Sequence, residues 1–432
     1  MISSRRASDL TAGMQVASDL FNALAEKTAN PPGVTRKAYG EGERIAHELI
    51  TDAARLAGAE AEYAPAGNLF LILPGEDRSR EILVGSHVDT VPHGGNFDGA
   101  AGVIAGVAAQ TVFNNSGRKP PFDLTVVALR AEESCWFPYS YVGSKTALGI
   151  LDPEIPDILK RSDTGRTLAD HMREAGFDPD AVKKGACRIQ KNKTIAYIEP
   201  HIEQAPVLEL ENIPIGIVTG IRGSFRYRDA KCFGAYAHSG AMPREYRKDS
   251  VMATSHLIQG MDKFWDEIIS ENGDLTVTFG EITTDPEHHS FSKVPGETRI
   301  CLDIRSQEKT TLDAAEIRLR ELVSKIEKER NVRFELGDCT GSQPALMSEH
   351  LQGMLKAAAG QVGTKAKFMA SGAGHDASVF ALQGIPSAML FIRNSNGSHN
   401  ADEAMALSDF STALEVLVEM VSQPASVWPT RN

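Results

Sequence analysis

Histidine and aspartate residues with the spacing of metal ligands occur in the segment GSHVDTVPHGGNFDGAAGV, residues 85–103. His87 and Asp89 are two residues apart, so on a continuing strand their side chains point to the same face. Asp98 follows a turn rich in glycine and precedes Gly99 and an apolar segment of helical periodicity, which predicts a helix N-terminus. Imidazole and carboxylate are ligands that divalent metals take. A lone histidine is more often structural, but the whole segment favours a metal site.

Two adjacent glutamates, Glu132 and Glu133, follow the apolar run FDLTVVAL of residues 122–129. Like charges side by side repel each other, especially when they are partly buried, so a metal ion or a proton must relieve them. One arrangement that meets this need has one carboxylate on a metal and the other free to take a proton from water. A solvated turn with two acids is the alternative, but the apolar residues on both sides argue against simple exposure.

Strand-like and helix-like runs alternate around these residues and predict the elements that position them. Helices are predicted at about 7–27 and 40–56, and strands at 68–73, 82–85 and 122–129. This order predicts an α/β domain with a largely parallel central sheet flanked by helices. Active-site residues of such sheets gather at the carboxyl ends of the strands. The run IAYIEPH ends in a third candidate ligand, His201, and Gln204 is a candidate contact for a substrate amide.

The pattern changes at about residue 215, where strand-like runs and two helices follow the order β-α-β-β-α-β. We expect a ferredoxin-like α+β domain at 214–338, inserted into a catalytic domain made of 1–213 and 339–432. Within the insert, His238 lies in a loop rich in glycine and alanine, and Arg305 ends a strand. His399 lies in a loop before the C-terminal helix.

Composition limits the class of protein. The 432 residues carry a net charge of −12, which argues against a nucleic-acid surface, and no run approaches the ~20 apolar residues of a membrane span. The start, MISSRRASDL, has no apolar segment behind its arginines, so we expect no secretory signal. Five scattered cysteines without a CxxC pattern are typical of a reduced chain, and we expect a cytoplasmic location.

Seven motifs, taken together, give the chain a resemblance to a known family. They are GSHVDTVPHGGNFDGAAGV, AEESCWFP, HIEQAPVLE, AYAHSGAMP, VPGETRICLDIRS, SGAGHDA and GSHNADE. In these motifs and their order the chain resembles the M20 metallopeptidase-like family. It is most similar to the amidohydrolase branch, which holds N-carbamoyl-L-amino-acid hydrolases, allantoate amidohydrolases and β-ureidopropionases. The motifs extend from about residue 80 to 403, and their common order makes the resemblance specific.

The resemblance implies a pair of metal ions. One would be held by His87, Asp98 and His201, and the second by Asp98, Glu133 and His399, so that Asp98 bridges them. Asp89 would orient His87, and Glu132 would act as general base and then as general acid. Zinc is the expected ion, although a mixed set of histidines and carboxylates also accepts manganese, cobalt or nickel.

The resemblance also implies substrate contacts. His238 would donate a hydrogen bond to the developing oxyanion, and Arg305 would bind the substrate carboxylate. The remaining implied contacts are Gln204, Ser292, Gly372 and Ala373. The insert would serve as a lid and as the surface of a homodimer.

Some residues depart from the family pattern and leave the substrate open. Ser292 stands where many carbamoylases have an asparagine, and His288 or His289 could replace that contact. The segment Ser134-Cys135-Trp136 adds bulk directly after the glutamate pair. Cys135 invites interpretation as a nucleophile, but no order of cysteine, histidine and asparagine or aspartate supports it.

These observations predict an enzyme that hydrolyses a linear amide, with an N-carbamoyl-L-amino acid giving amino acid, ammonia and carbon dioxide. The alternatives are a ureide hydrolase acting on allantoate or ureidoglycolate, and an N-acyl-amino-acid amidase. A peptidase would cleave dipeptides, for which we expect weak activity. A metal-free binding protein on the same fold is a different class, and the complete ligand set together with Glu132 argues against it.

Overall fold

A computed structural model describes residues 2–430 of the chain, with side chains from residue 8 onward. Its helices are α1 Ile2–Lys27, α2 Glu41–Leu56, α3 Ala100–Ser116, α4 Val142–Ala147, α5 Ile155–Ile158, α6 Leu168–Glu174, α7 Pro179–Lys183, α8 Val207–Leu210, α9 Ser250–Ser270, α10 Lys309–Arg330, α11 Glu349–Val362, α12 Asp376–Leu382 and α13 Leu407–Val421. Its strands are β1 Ala29–Asn30, β2 Gly33–Val34, β3 Glu60–Tyr63, β4 Leu69–Leu73, β5 Asp77–His87, β6 Phe122–Leu129, β7 Thr194–Ile202, β8 Ile215–Ile221, β9 Gly223–Phe233, β10 Ala237–His238, β11 Thr276–Thr284, β12 Lys293–Val294, β13 Glu297–Ser306, β14 Arg333–Glu335, β15 Cys339–Ser342, β16 Ala345–Leu346, β17 Ala366–Ser371 and β18 Ser387–Ile392.

The larger of two compact units contains the described residues of 1–219 and 347–432 and is built on one sheet. The strand order of this sheet is β8-β18-β7-β5-β6-β4-β3, and both β16 and β17 pair with β8 at one edge. The four central strands β18, β7, β5 and β6 are parallel, whereas β8 runs antiparallel to β18, β4 to β6, and β3 to β4. The expected α/β fold with a mostly parallel central sheet flanked by helices is therefore confirmed.

Helix α3 lies in the main hydrophobic core of this unit, which it shares with residues of α1, α11 and α13. Its residues from Ala100 to Phe113 are all buried, as expected for a helix that is apolar on every side. Small residues let it approach the sheet closely, because a Cβ at Gly102 would lie only 2.1 Å from the Pro200 carbonyl oxygen of β7. This packing fixes the start of α3 beside the ends of β5 and β7. None of the helices among the described residues is both long and apolar enough to span a bilayer.

The smaller unit comprises residues 220–346 and has its own core. Its longer elements follow the order β9-α9-β11-β13-α10-β14, and the short strands β10 and β12 pair in a separate two-stranded sheet. The main antiparallel sheet has the strand order β11-β13-β9-β14, with β15 also paired to β9. The units divide at 219/220 and 346/347, whereas the sequence pattern placed these divisions at 213/214 and 338/339. The difference arises because β8 hydrogen-bonds to β18 in the larger sheet, and because β15 extends the smaller sheet beyond residue 338.

Candidate metal centre

Three neighbouring parallel strands bring candidate ligands to one edge of the larger sheet. His87 is the last residue of β5, and it lies opposite Leu129, the last residue of β6, in the register of these strands. His201 lies near the end of β7 on the other side of β5, and Glu133 follows β6 by four residues. Because parallel strands end at the same edge of a sheet, side chains that are far apart in sequence meet there.

Asp98 lies between the histidines because of the glycine that follows it. Gly99 has a φ of +64°, a conformation that favours glycine, and a Cβ at this position would lie 2.5 Å from atoms of the His87 ring. Helix α3 begins at the next residue, so the chain turns directly against His87. The absence of a side chain at Gly99 therefore lets the Asp98 carboxylate approach the ends of β5 and β7.

The Asp98 carboxylate joins two sets of three donors. Its Oδ1 lies 3.6 Å from His87 Nε2 and 3.2 Å from His201 Nε2. Its Oδ2 lies 3.5 Å from His399 Nε2, which is itself 3.3 Å from Glu133 Oε1. Within each set the ligand atoms all lie within 4.8 Å of one another. The structure thus brings together the five residues expected as metal ligands, with Asp98 common to both sets.

Hydrogen bonds to the far side of each ring orient two of the histidines. His87 Nδ1 lies 3.0 Å from the Asp89 carbonyl oxygen and 3.4 Å from its carboxylate, and His201 Nδ1 lies 2.9 Å from the Ile202 carbonyl oxygen. A proton on each Nδ1 leaves Nε2 as the ligand atom. The backbone N–H of Gly99 donates to His201 Nε2 at 3.2 Å, which agrees with this tautomer.

Asp89 also holds the turn that carries the two glutamates. Its carboxylate oxygens accept the backbone N–H groups of Glu132 at 3.3 Å and Glu133 at 3.1 Å. Ala131 precedes them with a φ of +53°, which is uncommon for a residue with a side chain. This turn brings Glu132 Oε2 to 3.9 Å from His87 Nε2, beside the ligand set rather than within it.

Electrostatics at this edge favour bound positive charge. Burial, together with the neighbouring Glu133, raises the pKa of Glu132 well above its ordinary value, and burial also raises the pKa of Glu133. A hydrogen bond to Glu133 raises the pKa of His399 to about 9. The pKa of His87 is also raised well above normal, because the nearby carboxylates outweigh the effect of its burial. The anionic charge that holds protons on these imidazoles would equally attract divalent cations, whose binding displaces protons. The donor set therefore fits two divalent ions and leaves their identity open.

Other residues expected to contact substrate lie in different surroundings. Gln204 Nε2 donates to Asp98 Oδ2 at 2.8 Å, so this amide contacts the shared carboxylate. Gly372 and Ala373 follow β17, and the Ala373 carbonyl oxygen accepts a hydrogen bond from Ser371 Oγ at 2.8 Å. The roles of Gln204, Gly372 and Ala373 as substrate contacts stay predictions.

The remaining expected contacts belong to the smaller unit. His238 is exposed, and its Nδ1 accepts the N–H groups of Gly240 and Ala241 at 3.1 Å, which leaves Nε2 as a donor. The Arg305 guanidinium binds the Asp303 carboxylate, with Nη2 2.8 Å from Oδ2. The Ser292 carbonyl oxygen accepts the backbone N–H of Ser239 at 2.9 Å. The roles of these side chains in binding substrate stay predictions.

Sequence reasoning did not single out several polar residues near the ligands, of which Glu199, His375 and Glu403 are buried. Glu403 and Ser398 both contact Asp98, and His375 places its ring centroid 4.5 Å from that of His201. Glu199 forms a further cluster with these two histidines. The sequence signals were the motifs GSHNADE and SGAGHDA for Ser398, Glu403 and His375, and the run IAYIEPH for Glu199. The contacts of Glu403 and His375 join distant segments of the chain, so spacing in the sequence does not indicate them.

A comparison with family models matches residues 83–423 to "Peptidase family M20/M25/M40". The chain belongs to this family. The match covers the strands and loops that carry all five expected ligands, and it confirms the resemblance drawn from the motifs. The chain is accordingly an enzyme of the M20 family.

Several relatives of this M20 enzyme match nearly its whole length. It is 33% identical to an N-carbamoyl-L-amino acid amidohydrolase of Geobacillus stearothermophilus over 91% of this chain and 94% of that protein. It is 31% identical to an allantoate amidohydrolase of Escherichia coli strain K12 over 93% of this chain and 96% of that protein. A crystal structure of an amidase of the hydantoinase/carbamoylase family from Burkholderia multivorans superposes with a TM-score of 0.85 at 25% identity, covering 96% of this chain and 98% of that one. These relatives support hydrolysis of an amide bond.

Proposed function

We propose that this chain is a binuclear metal-dependent amidohydrolase whose substrate is an N-carbamoyl-L-amino acid. The products are the amino acid, ammonia and carbon dioxide, formed by addition of one water molecule to the carbamoyl group. The observation that carries the proposal is the Asp98 carboxylate, which offers one oxygen to His87 and His201 and the other to His399 beside Glu133. A carboxylate shared in this way suits two cations held close together.

The proposed ligand sets are His87, Asp98 and His201 for one ion, and Asp98, Glu133 and His399 for the other. Bound there, the ions would polarise the scissile carbonyl and lower the pKa of a water nucleophile. Asp89 orients His87 and holds the turn of Glu132 and Glu133 through two backbone N–H groups. The protein thereby keeps a free carboxylate, Glu132, next to the ligands.

Glu132 is the proposed proton carrier. Its carboxylate takes a proton from the attacking water and then delivers it to the leaving nitrogen, so it acts first as a base and then as an acid. Two features support this role: Glu132 lies beside the ligand sets without belonging to either, and burial raises its pKa well above the ordinary value of a carboxyl group, which makes its carboxylate a stronger base.

Replacing Glu132 with glutamine tests the mechanism. Glutamine keeps the size of the side chain but cannot carry the proton, so we expect kcat to fall by about 10²–10⁴-fold with metal content unchanged. Glu76 offers a control, because it is an exposed glutamate on the turn before β5 and Glu76→Gln should leave kcat unaltered. Unaltered kcat in Glu132→Gln would show that the base is another group.

A substrate panel tests the proposed specificity. Purified protein reconstituted with metal is offered N-carbamoyl, N-acyl and ureide compounds, and ammonia and free amine are measured separately. The proposal predicts that ammonia and amino acid appear in equal amounts from N-carbamoyl-L-amino acids, with weak activity on dipeptides. Release of amine without ammonia, from N-acyl compounds only, would overturn it.

The second candidate is a ureide hydrolase that acts on allantoate. It is favoured by the 31% identity to the allantoate amidohydrolase of Escherichia coli, which is close to the 33% of the carbamoyl-specific relative. The same metal cluster and Glu132 would serve both reactions. Higher kcat/KM on allantoate than on every N-carbamoyl amino acid would establish this alternative.

The native metal, the homodimer and two substrate contacts stay predictions, and each of them has a direct test. Zinc as the native ion is tested by metal analysis of protein purified without chelator, and a homodimer formed through 214–338 is tested by sedimentation equilibrium. Arg305 as the carboxylate ligand predicts a raised KM in Arg305→Lys, because lysine cannot bind bidentately. His238 as the oxyanion donor predicts a fall of about 10²–10³-fold in kcat for His238→Ala.

A further inference from the structure

Glu403 is a buried glutamate that lies beside the metal ligands without belonging to either ligand set. Its Oε1 accepts the backbone N–H groups of Phe97 at 2.8 Å and of Asp98 at 3.1 Å. These two residues form the turn immediately before α3, more than three hundred positions earlier in the sequence. One carboxylate oxygen thus anchors the backbone of the proposed bridging ligand.

The other oxygen of Glu403 acts through Ser398. Glu403 Oε2 lies 2.7 Å from Ser398 Oγ, and this hydroxyl lies 2.5 Å from Asp98 Oδ2. Ser398 directly precedes His399, whose φ is +59°. Glu403 therefore bonds the Asp98 backbone directly, and the Ser398 hydroxyl lies between the two carboxylates with one proton to donate to either. Both residues belong to the loop that carries His399.

The backbone of Gly95 leaves space for the Glu403 side chain. A Cβ at Gly95 would lie 2.2 Å from the Glu403 carboxylate carbon, so this side chain occupies the room that a glycine leaves. Ser395 and Ala404 close the base of the loop through paired backbone hydrogen bonds. Glu403, with defined partners on each of its oxygens, therefore helps to hold the loop of 395–404 against the Asp98 turn, together with Ser398.

We propose that Glu403 is a positioning residue that sets the rotation of the Asp98 carboxylate, so that one oxygen faces His87 and His201 while the other faces His399. This inference rests on the proposed function in assigning metal ions to the two ligand sets. It adds that Glu403 and Ser398 determine how tightly both ions bind, although neither residue contacts an ion.

Two replacements of Glu403 separate its geometry from its charge. In Glu403→Gln, Oε1 still accepts from Phe97 and Asp98, and the amide nitrogen can donate to Ser398 Oγ, which still donates to Asp98 Oδ2. In Glu403→Ala, both N–H groups lose their acceptor and Ser398 loses one partner. Asp402→Asn is the matched control, because Asp402 is the adjacent residue in the same loop and is exposed.

The readout is metal affinity, measured by titrating metal-free protein against a competing chelator, together with the visible absorption of the cobalt(II)-loaded protein. We expect Glu403→Ala to bind metal about 10–100-fold more weakly and to change the cobalt spectrum, since loss of a group that orients a ligand costs this much. Glu403→Gln and Asp402→Asn should match the wild type in both measurements. Circular dichroism of the metal-free variants reports whether they fold.

The outcomes distinguish this inference from the proposed function. If wild type binds two ions and Glu403→Ala binds them equally well, the positioning role is overturned and the proposed function stands. If wild type binds no divalent ion, both fail. Should Glu403→Ala not fold, Ser398→Ala gives the decision: it removes the hydroxyl but leaves the backbone bonds of Glu403, and wild-type affinity in this variant would overturn the inference.

Discussion

Replacing Gly99 with alanine should weaken both the fold and the metal centre. Gly99 has a φ of +64°, and an added Cβ would lie 2.5 Å from three atoms of the His87 ring. A side chain in the left-handed region costs about 1–2 kcal/mol, and overpacking of a buried contact costs about 1–3 kcal/mol more. We therefore expect Gly99→Ala to lose about 2–5 kcal/mol of unfolding free energy, the sum of these two costs.

Gly117 provides a matched control at the other end of the same helix. It follows α3 with a φ of +68°, and a Cβ there would meet nothing within 4 Å. Gly117→Ala should therefore pay only the conformational cost of about 1–2 kcal/mol. Both variants are unfolded with urea in the metal-free state, so that the difference between them isolates the clash with His87.

Metal affinity is the second arm of this experiment. Because the Cβ at position 99 displaces the His87 ring, we expect Gly99→Ala to bind metal at least about tenfold more weakly, whereas Gly117→Ala binds it as the wild type does. Equal losses of stability in the two variants, together with wild-type metal affinity in Gly99→Ala, would refute the reasoning. That result would mean that the close approach of Gly99 to His87 does not position the ligand.

Further predictions address the groups around the site and one group remote from it. Asp89→Ala removes the carboxylate that lies 3.4 Å from His87 Nδ1 and that accepts two backbone N–H groups, although the Asp89 carbonyl oxygen stays beside His87, so metal affinity should fall by about 10–100-fold. Asp89→Asn retains a side-chain acceptor, so the metal affinity of this variant should fall less. His47 is buried, and among the described residues neither of its ring nitrogens has a hydrogen-bond partner. Burial holds the pKa of His47 well below 6.5, so its contribution to stability is present above pH 6.5 and is lost as pH falls, by up to about 1.4 kcal/mol per pH unit. In His47→Phe the stability measured between pH 7.5 and 5.5 should decline less steeply, and an unchanged decline would contradict the assignment.

The parts of the site that lie on strands could be predicted from sequence. His87 and His201 each end an apolar run, and Glu133 follows another, so a parallel sheet necessarily brings them to one edge. The apolar pattern around each of these residues determines its position, because side chains alternate regularly along a strand and parallel strands end at the same edge of the sheet. The α/β class followed from the same patterns and is confirmed by the structure.

The parts that lie in loops could not be worked out from local pattern. His399 reaches Glu133 only because the loop of 395–404 folds against the turn before α3, and the contacts of Glu403 that fasten it span more than three hundred residues. Gln204 has a φ of +64° and donates to Asp98, which no periodicity in its neighbourhood indicates. Hydrogen bonds between distant loops determine such positions, and the spacing of residues in the sequence does not reveal these bonds.

Metal stoichiometry tests the central claim most directly. Metal-free protein is dialysed against zinc and the bound ions are counted by mass spectrometry, for the wild type, for His399→Ala and for Asp98→Ala. The account predicts two ions per chain in the wild type, one in His399→Ala because only the second set loses a ligand, and none bound tightly in Asp98→Ala because both sets share its carboxylate. One ion or none in the wild type, or two in Asp98→Ala, would contradict it.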